Sequence, residues 1–249
     1  MANTKQYDSI IFTHIPKCGG TTIRKFLTEA SELSQLDTKD EVYIPGSFGV
    51  SNSKNLSQLN KTELGLLQNK NLRILANHSK HGEETTYSIG LNNPLKFVLL
   101  RNPLNRFLSH YNFFYYHLGY DNCKNLRLSD LPPKKLKKLI SNLANIQTAY
   151  ISNVKYKNTV GLENMLKIAK YNLMFELDHV GTVEKIDETA QYLNSLKLSW
   201  IQFPKKFEKL NSTKSDTPDI PKKILDMITL SSWADYELYN FVNSEIDNE

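Results

Sequence analysis

Nine consecutive residues near the start of the chain, His14-Ile15-Pro16-Lys17-Cys18-Gly19-Gly20-Thr21-Thr22, concentrate the chemistry of anion binding. Two glycines let backbone amides approach an anion closely, the amides that open a following helix point towards it, and threonine hydroxyls add donors. Lys17 contributes a full positive charge at the same place. The lysine precedes the glycines, the reverse of the Walker A order, so the pattern disfavours an ordinary nucleotide triphosphatase. A second segment, Arg101-Asn102-Pro103-Leu104-Asn105-Arg106-Phe107-Leu108-Ser109-His110-Tyr111, combines two guanidinium groups with a hydroxyl. Arg106 and Ser109, three residues apart, share one helix face. The forked donors of Arg101 and Arg106 match the oxygens and the charge of a phosphate dianion. Together the segments read as two phosphate sites facing each other.

Proton removal near neutrality calls for a histidine. His78, in Ala76-Asn77-His78-Ser79, follows an expected strand and so belongs at a crevice rim; His81 stands in reserve, then Glu83 and Glu84. No cysteine or well-spaced third ligand accompanies His78 and His81, so no metal site is expected. His14, in the strand-to-turn segment, reads as structural, and His110 and His117 lie on an aromatic helix with Tyr111, Phe113, Phe114, Tyr115 and Tyr116. That stripe reads as core and groove lining. Lys134, Lys135, Lys137 and Lys138 read as a solvated helix face, with guidance of an anionic acceptor as the sharper alternative.

These residues need a scaffold. Residues 9–13 form a β-branched and aromatic run that ends at the breaker 16–20, after which Thr21 or Thr22 caps a helix to about 32. Further strands are expected at 72–76, 96–100 and 179–183, and helices after Pro103 and at 134–143, 162–171, 186–196 and 222–241, the last broken near Ser231. Residues 34–61, rich in Ser and Asn with Pro45, Gly46 and Gly49, read as an irregular loop. Strands alternating with helices imply an α/β domain: a central, mainly parallel sheet flanked by helices, with the phosphate-binding turn after its first strand and the ligand crevice beyond the strands' carboxyl ends.

Composition bounds the rest. The 249 residues are 40% hydrophobic and 23% charged, an ordinary globular composition that reads as one domain over 1–249. Two cysteines, Cys18 and Cys123, are too few for a disulfide framework or a cysteine-based zinc site. The longest apolar runs, such as 97–100, fall far short of the roughly 20 residues of a membrane span, and the amino terminus has no signal-peptide core, so a soluble chain with no membrane contact is expected. A net charge of +5 favours anionic partners without choosing among nucleic acid, a nucleotide cofactor and an acidic glycan.

The two anion segments together resemble the 5′-phosphosulfate loop and the 3′-phosphate motif of sulfotransferases that use 3′-phosphoadenosine 5′-phosphosulfate (PAPS). The pattern is similar to the carbohydrate sulfotransferases that include the heparan and uronyl 2-O-sulfotransferases. Supporting similarity continues through Asn145-Ile146-Gln147-Thr148, His179-Val180-Gly181-Thr182-Val183-Glu184 and Asp235-Tyr236-Glu237-Leu238-Tyr239. The resemblance implies a sulfotransferase fold and a loop of Lys17, Cys18, Gly19, Gly20, Thr21 and Thr22 around the 5′-phosphosulfate, with Lys17 also catalytic at the leaving oxygen. It implies further that Arg101 and Ser109 hold the 3′-phosphate and that His78, matching a Gly-His element with Asn77 in place of the glycine, is the catalytic base. The donor would be PAPS, the product adenosine 3′,5′-bisphosphate, and the acceptor a carbohydrate or another hydroxyl compound rather than a nucleic acid. Lys205, Lys206, Lys209 and Lys214 fall where related enzymes close a loop over the nucleotide. The animal relatives are anchored Golgi proteins, so a complete chain would be cytoplasmic and a catalytic fragment lumenal.

Two other readings remain at this point. The C-x5-R spacing from Cys18 to Arg24 is similar to cysteine-dependent phosphatases, although Lys17 stands where that family has His and Thr21 where it has a glycine. A kinase using the same loop, or a non-catalytic module for polyanions, would also use the positive charge.

Overall fold

Every residue of Ser9–Thr13 is buried, as a central strand of a parallel sheet must be when helices cover both its faces. The structure, a computed structural model, describes residues 6–45, 54, 56–154, 161–205 and 220–246. Strands β1 (Ser9–Thr13), β2 (Val42–Tyr43), β3 (Ile74–Asn77), β4 (Pro94–Leu100) and β5 (His179–Thr182) form one sheet in the order β2-β3-β1-β4-β5. All neighbours run parallel, with Thr13 opposite Asn77 on one side and Val98 on the other.

Ten helices connect and cover the strands among the described residues: α1 (Gly20–Leu33), α2 (Lys61–Gln68), α3 (Glu83–Thr86), α4 (Pro103–His110), α5 (Pro133–Leu143), α6 (Ile146–Ser152), α7 (Leu162–Phe175), α8 (Ile186–Ser195), α9 (Lys222–Ser231) and α10 (Trp233–Phe241). Successive strand side chains point to opposite faces. Ile10, Phe12, Phe97 and Leu99 therefore meet Ile23, Phe26 and Leu27 of α1 in one core. Val98 and Leu100 meet Ala169 and Leu173 of α7 and Leu238 of α10 in the other. Full burial of such side chains is worth about 1.5–3 kcal/mol each, enough to fix the register of both layers. No helix among the described residues is long and apolar enough to cross a membrane.

The sheet is an all-parallel α/β arrangement, and the four expected strands, 9–13, 72–76, 96–100 and 179–183, each overlap an observed one. The described residues of the segment 34–61 include regular structure that its Ser and Asn content does not suggest. It contains the edge strand β2, whose Val42 and Tyr43 pair with Ile74 and Leu75, and it leads into α2 through an Asn60–Glu63 capping box. Neither Thr21 nor Thr22 caps α1; the cap is Gly19 at φ 69°, with no side chain bonded to the helix start. The helix after Pro103 gives way to a π-helical turn, Tyr111–His117. The final helical stretch breaks at Ser232, next to the expected position.

Crossovers from β1 place β3 on one flank and β4 on the other. The chain leaves the carboxyl ends of these three neighbouring strands into His14, His78 and Arg101, where crevices form in open α/β sheets.

Candidate functional site

After β1 the chain makes a tight turn, with Lys17 and Gly19 both at φ 69°. A left-handed lysine is uncommon, and the conformation is held by bonds on either side. The Cys18 amide donates to the Ile15 carbonyl at 3.1 Å, and the Lys17 carbonyl accepts from Arg101 Nη1 at 3.2 Å. The amides of Gly19, Gly20 and Thr21 have no backbone or side-chain acceptor among the described residues. With no capping side chain and no acid in its first turn, α1 presents bare donors and the positive end of its dipole.

Gly20 is fixed by a neighbour. A Cβ there would lie 1.6 Å from Nε2 of His14, so the imidazole fills the space a side chain would need. His14 is 5% exposed and stacks on His78, with ring centroids 3.8 Å apart. The two are also linked through the main chain: His78 Nδ1 lies 2.9 Å from the His14 carbonyl oxygen. A carbonyl only accepts, so Nδ1 carries the proton and Nε2 keeps its lone pair. Burial lowers the pKa of both imidazoles, aided for each by the charge of Arg24. His78 is half-buried, and the lowered pKa favours its neutral imidazole, held in one orientation by the Nδ1 bond. The reserve candidates are less available: His81, Glu83 and Glu84 are buried, and Glu84 is paired with Lys96 at 3.1 Å.

Lys17 is half-buried, and its Nζ lies 4.2 Å from the ring centroid of Phe113 in the π-helical turn. Burial lowers its pKa, and the neighbouring Arg101 charge adds to that. Arg101 is half-buried as well, and its bond to the Lys17 carbonyl brings the two anion segments to the same side of the sheet. Thr21 is exposed, whereas Thr22 is buried; Ser109 is half-buried on α4, three residues beyond Arg106.

Two expectations need correction. Arg106 does not form a guanidinium pair with Arg101 at the surface. It is 1% exposed, donates from Nη2 to the Leu143 carbonyl, and is kept charged against burial chiefly by Asp235. The reason is packing, since α4 turns this face inward against α5 and α9. Cys18 is no nucleophile and offers no ligand-facing group: its thiol is 1% exposed, donates to Gln147 Oε1 at 3.3 Å and is pushed up to about 12 by burial. The thiolate chemistry of a phosphatase requires the opposite shift.

Gln147 is the residue that sequence reasoning underrated. Fully buried, it accepts from Cys18 and from the Arg101 amide, and donates to the Arg101 carbonyl. Asp235 in turn accepts from the amides of Gln147 and Thr148 and from the Thr148 hydroxyl. Only the resemblance marked these positions, because a neutral amide has no periodicity or charge signature. Lys134, Lys137 and Lys138 are exposed along α5, as a solvated face would be. Lys206, Lys209 and Lys214 lie outside the described residues.

An all-parallel α/β domain with a glycine turn that delivers bare amides and a lysine to the carboxyl edge of its sheet is the sulfotransferase fold. A family model described as the sulfotransferase family matches residues 1–242, and the chain belongs to that family. Family membership makes it a transferase of sulfuryl groups acting on an acceptor. No curated protein matched the sequence. Among the described residues no group of three or more His, Cys, Asp or Glu side chains is arranged to hold a metal ion.

Proposed function

We propose that residues 1–249 act as one PAPS-dependent sulfotransferase domain that sulfates a hydroxyl, on a carbohydrate in the first instance. The observation that supports the reading is the 3.2 Å bond from Arg101 to the Lys17 carbonyl, because it joins the segments after β1 and β4 as a donor with an anionic group at each end would require. The residues present fit that donor. Bare amides of Gly19, Gly20 and Thr21 and the Lys17 ammonium suit the 5′-phosphosulfate end, while Arg101 and Ser109 suit the 3′-phosphate.

In this reading the acceptor hydroxyl forms the new oxygen–sulfur bond as the bond from sulfur to the bridging phosphate oxygen breaks. His78 Nε2 takes the acceptor proton, and its Nδ1–H bond to His14 holds the ring in the required tautomer. Lys17 offsets the negative charge gathering on the leaving oxygen, and the amides hold the phosphate in line. The products are a sulfate ester and adenosine 3′,5′-bisphosphate.

The direct test incubates the protein with labelled PAPS and a panel of glycans, lipids and small alcohols, and identifies the products by mass. A labelled sulfate ester is expected. For the site, adenosine 3′,5′-bisphosphate binding should weaken in Lys17→Ala and in Arg101→Ala; unchanged affinity in both would refute the assignment.

A further inference from the structure

We infer that Gln147 is a positioning residue that sets the separation between the two anion-binding segments, so that 3′-phosphate recognition depends on a side chain that never meets the ligand. The inference rests on the reading of Arg101 as the 3′-phosphate partner.

One carboxamide bonds both segments. Its Oε1 accepts from Cys18 Sγ at 3.3 Å and from the Arg101 amide at 2.8 Å, using both lone pairs, while Nε2 donates to the Arg101 carbonyl at 2.9 Å. Both main-chain polar groups of Arg101 are therefore held by a single side chain, at the point where β4 ends and the sheet ladder can no longer hold them. On the loop side, the same oxygen anchors the residue between Lys17 and Gly19. The Arg101 guanidinium then closes a ring of contacts through the Lys17 carbonyl.

The clamp has its own foundation. The Gln147 amide and both donors of Thr148 bond to the Asp235 carboxylate, which is 1% exposed. Asn145 returns the tie, accepting from the amides of Ala234 and Asp235 and donating to the Ser231 carbonyl. The starts of α6 and α10 are thus locked together, and Gln147 is held from behind by a helix pair in the core. Without the carboxamide, three polar groups lose their partners and the Arg101 backbone is free to shift. A displacement of about 1 Å at a positioning contact is enough to cost a large factor in recognition.

The test compares affinities for adenosine 3′,5′-bisphosphate and adenosine 5′-monophosphate by calorimetry, because their ratio isolates the 3′-phosphate. Arg101→Ala is expected to collapse the ratio, and Gln147→Leu to reduce it by roughly tenfold, with 5′-monophosphate affinity changed much less. Circular dichroism and thermal melting establish that each variant is folded. If Gln147→Leu does not fold, Gln147→Asn replaces it: the amide is retained but is one methylene too short to reach both segments, and the same loss in ratio is expected. An unchanged ratio in the folded Gln147 variant, or an equal loss for both nucleotides, overturns the inference while leaving Arg101 in place. A ratio that survives Arg101→Ala removes the underlying reading, and the inference with it.

Discussion

His78, the proposed base, illustrates how surroundings shape the chemistry of one side chain. Its Nδ1 proton is committed to the His14 carbonyl, and burial lowers its pKa from 6.5. Protonation removes the lone pair a base requires, so kcat/KM should fall as pH drops through this lowered value. The acidic limb of the pH profile is therefore expected below pH 6.5, which initial rates across pH would check. Replacing His78 by Ala should reduce turnover by about 10²–10⁴-fold while adenosine 3′,5′-bisphosphate binding persists; near-normal turnover would place the base elsewhere. Gly20→Ala meets a different obstacle, a ring 1.6 Å from the new methyl. Loss of at least about 2 kcal/mol is expected in denaturant titrations, with nucleotide binding weakened as well. The histidine was legible as a candidate from its place after a strand; its stacking on His14 was not, because that contact joins residues 64 apart in sequence.

Elements differ in how far the local sequence specifies them, and the causes are local. Buried strands such as β4 declare themselves through an apolar run, here Phe97 to Leu100. The two-residue β2 cannot, since its pairing with β3 comes from tertiary contacts. Helix α6 lacks the usual start signal: Asn145 adopts φ 54° and makes no side-chain cap, its carboxamide being engaged with α10. The start of α6 is held instead by Asp235, which accepts from Gln147 and Thr148. Asp235→Ala removes the acceptor for three donors and should destabilise the protein by at least about 2 kcal/mol, measured as a lower urea midpoint at constant slope. Packing against α6 also explains the silence of Cys18. In the folded protein both Cys18 and Cys123, each 1% exposed, should resist alkylation by iodoacetamide and become labelled only on unfolding. Rapid labelling of one thiol in the native state would contradict the burial described above.

At the scale of the whole molecule, burial of histidines controls the response to acid. Five of the six histidines, His14, His78, His81, His110 and His179, are held below 6.5 chiefly by burial, His110 at about 3 and His179 at about 4. Above pH 6.5 they are neutral in both the folded and the unfolded chain and contribute no pH dependence. Below it the unfolded chain binds protons that the native state refuses, so stability falls with pH, by up to about 1.4 kcal/mol per group per pH unit. Glu83 and Asp235, pushed up by burial, act in the opposite sense as pH falls through their raised values. Urea midpoints should therefore be level near pH 7–8 and drop by the equivalent of at least about 3 kcal/mol at about pH 5. The parallel sheet adds a constraint in time. Thr148 and Asp235 are 87 residues apart, yet the first is held by the second, so the crevice beyond β1 and β4 gains this support only once residue 235 has been synthesised. On the proposed reading, a nascent or truncated chain ending before α10 would carry Lys17, Arg101 and Ser109 and still be expected to recognise the donor poorly.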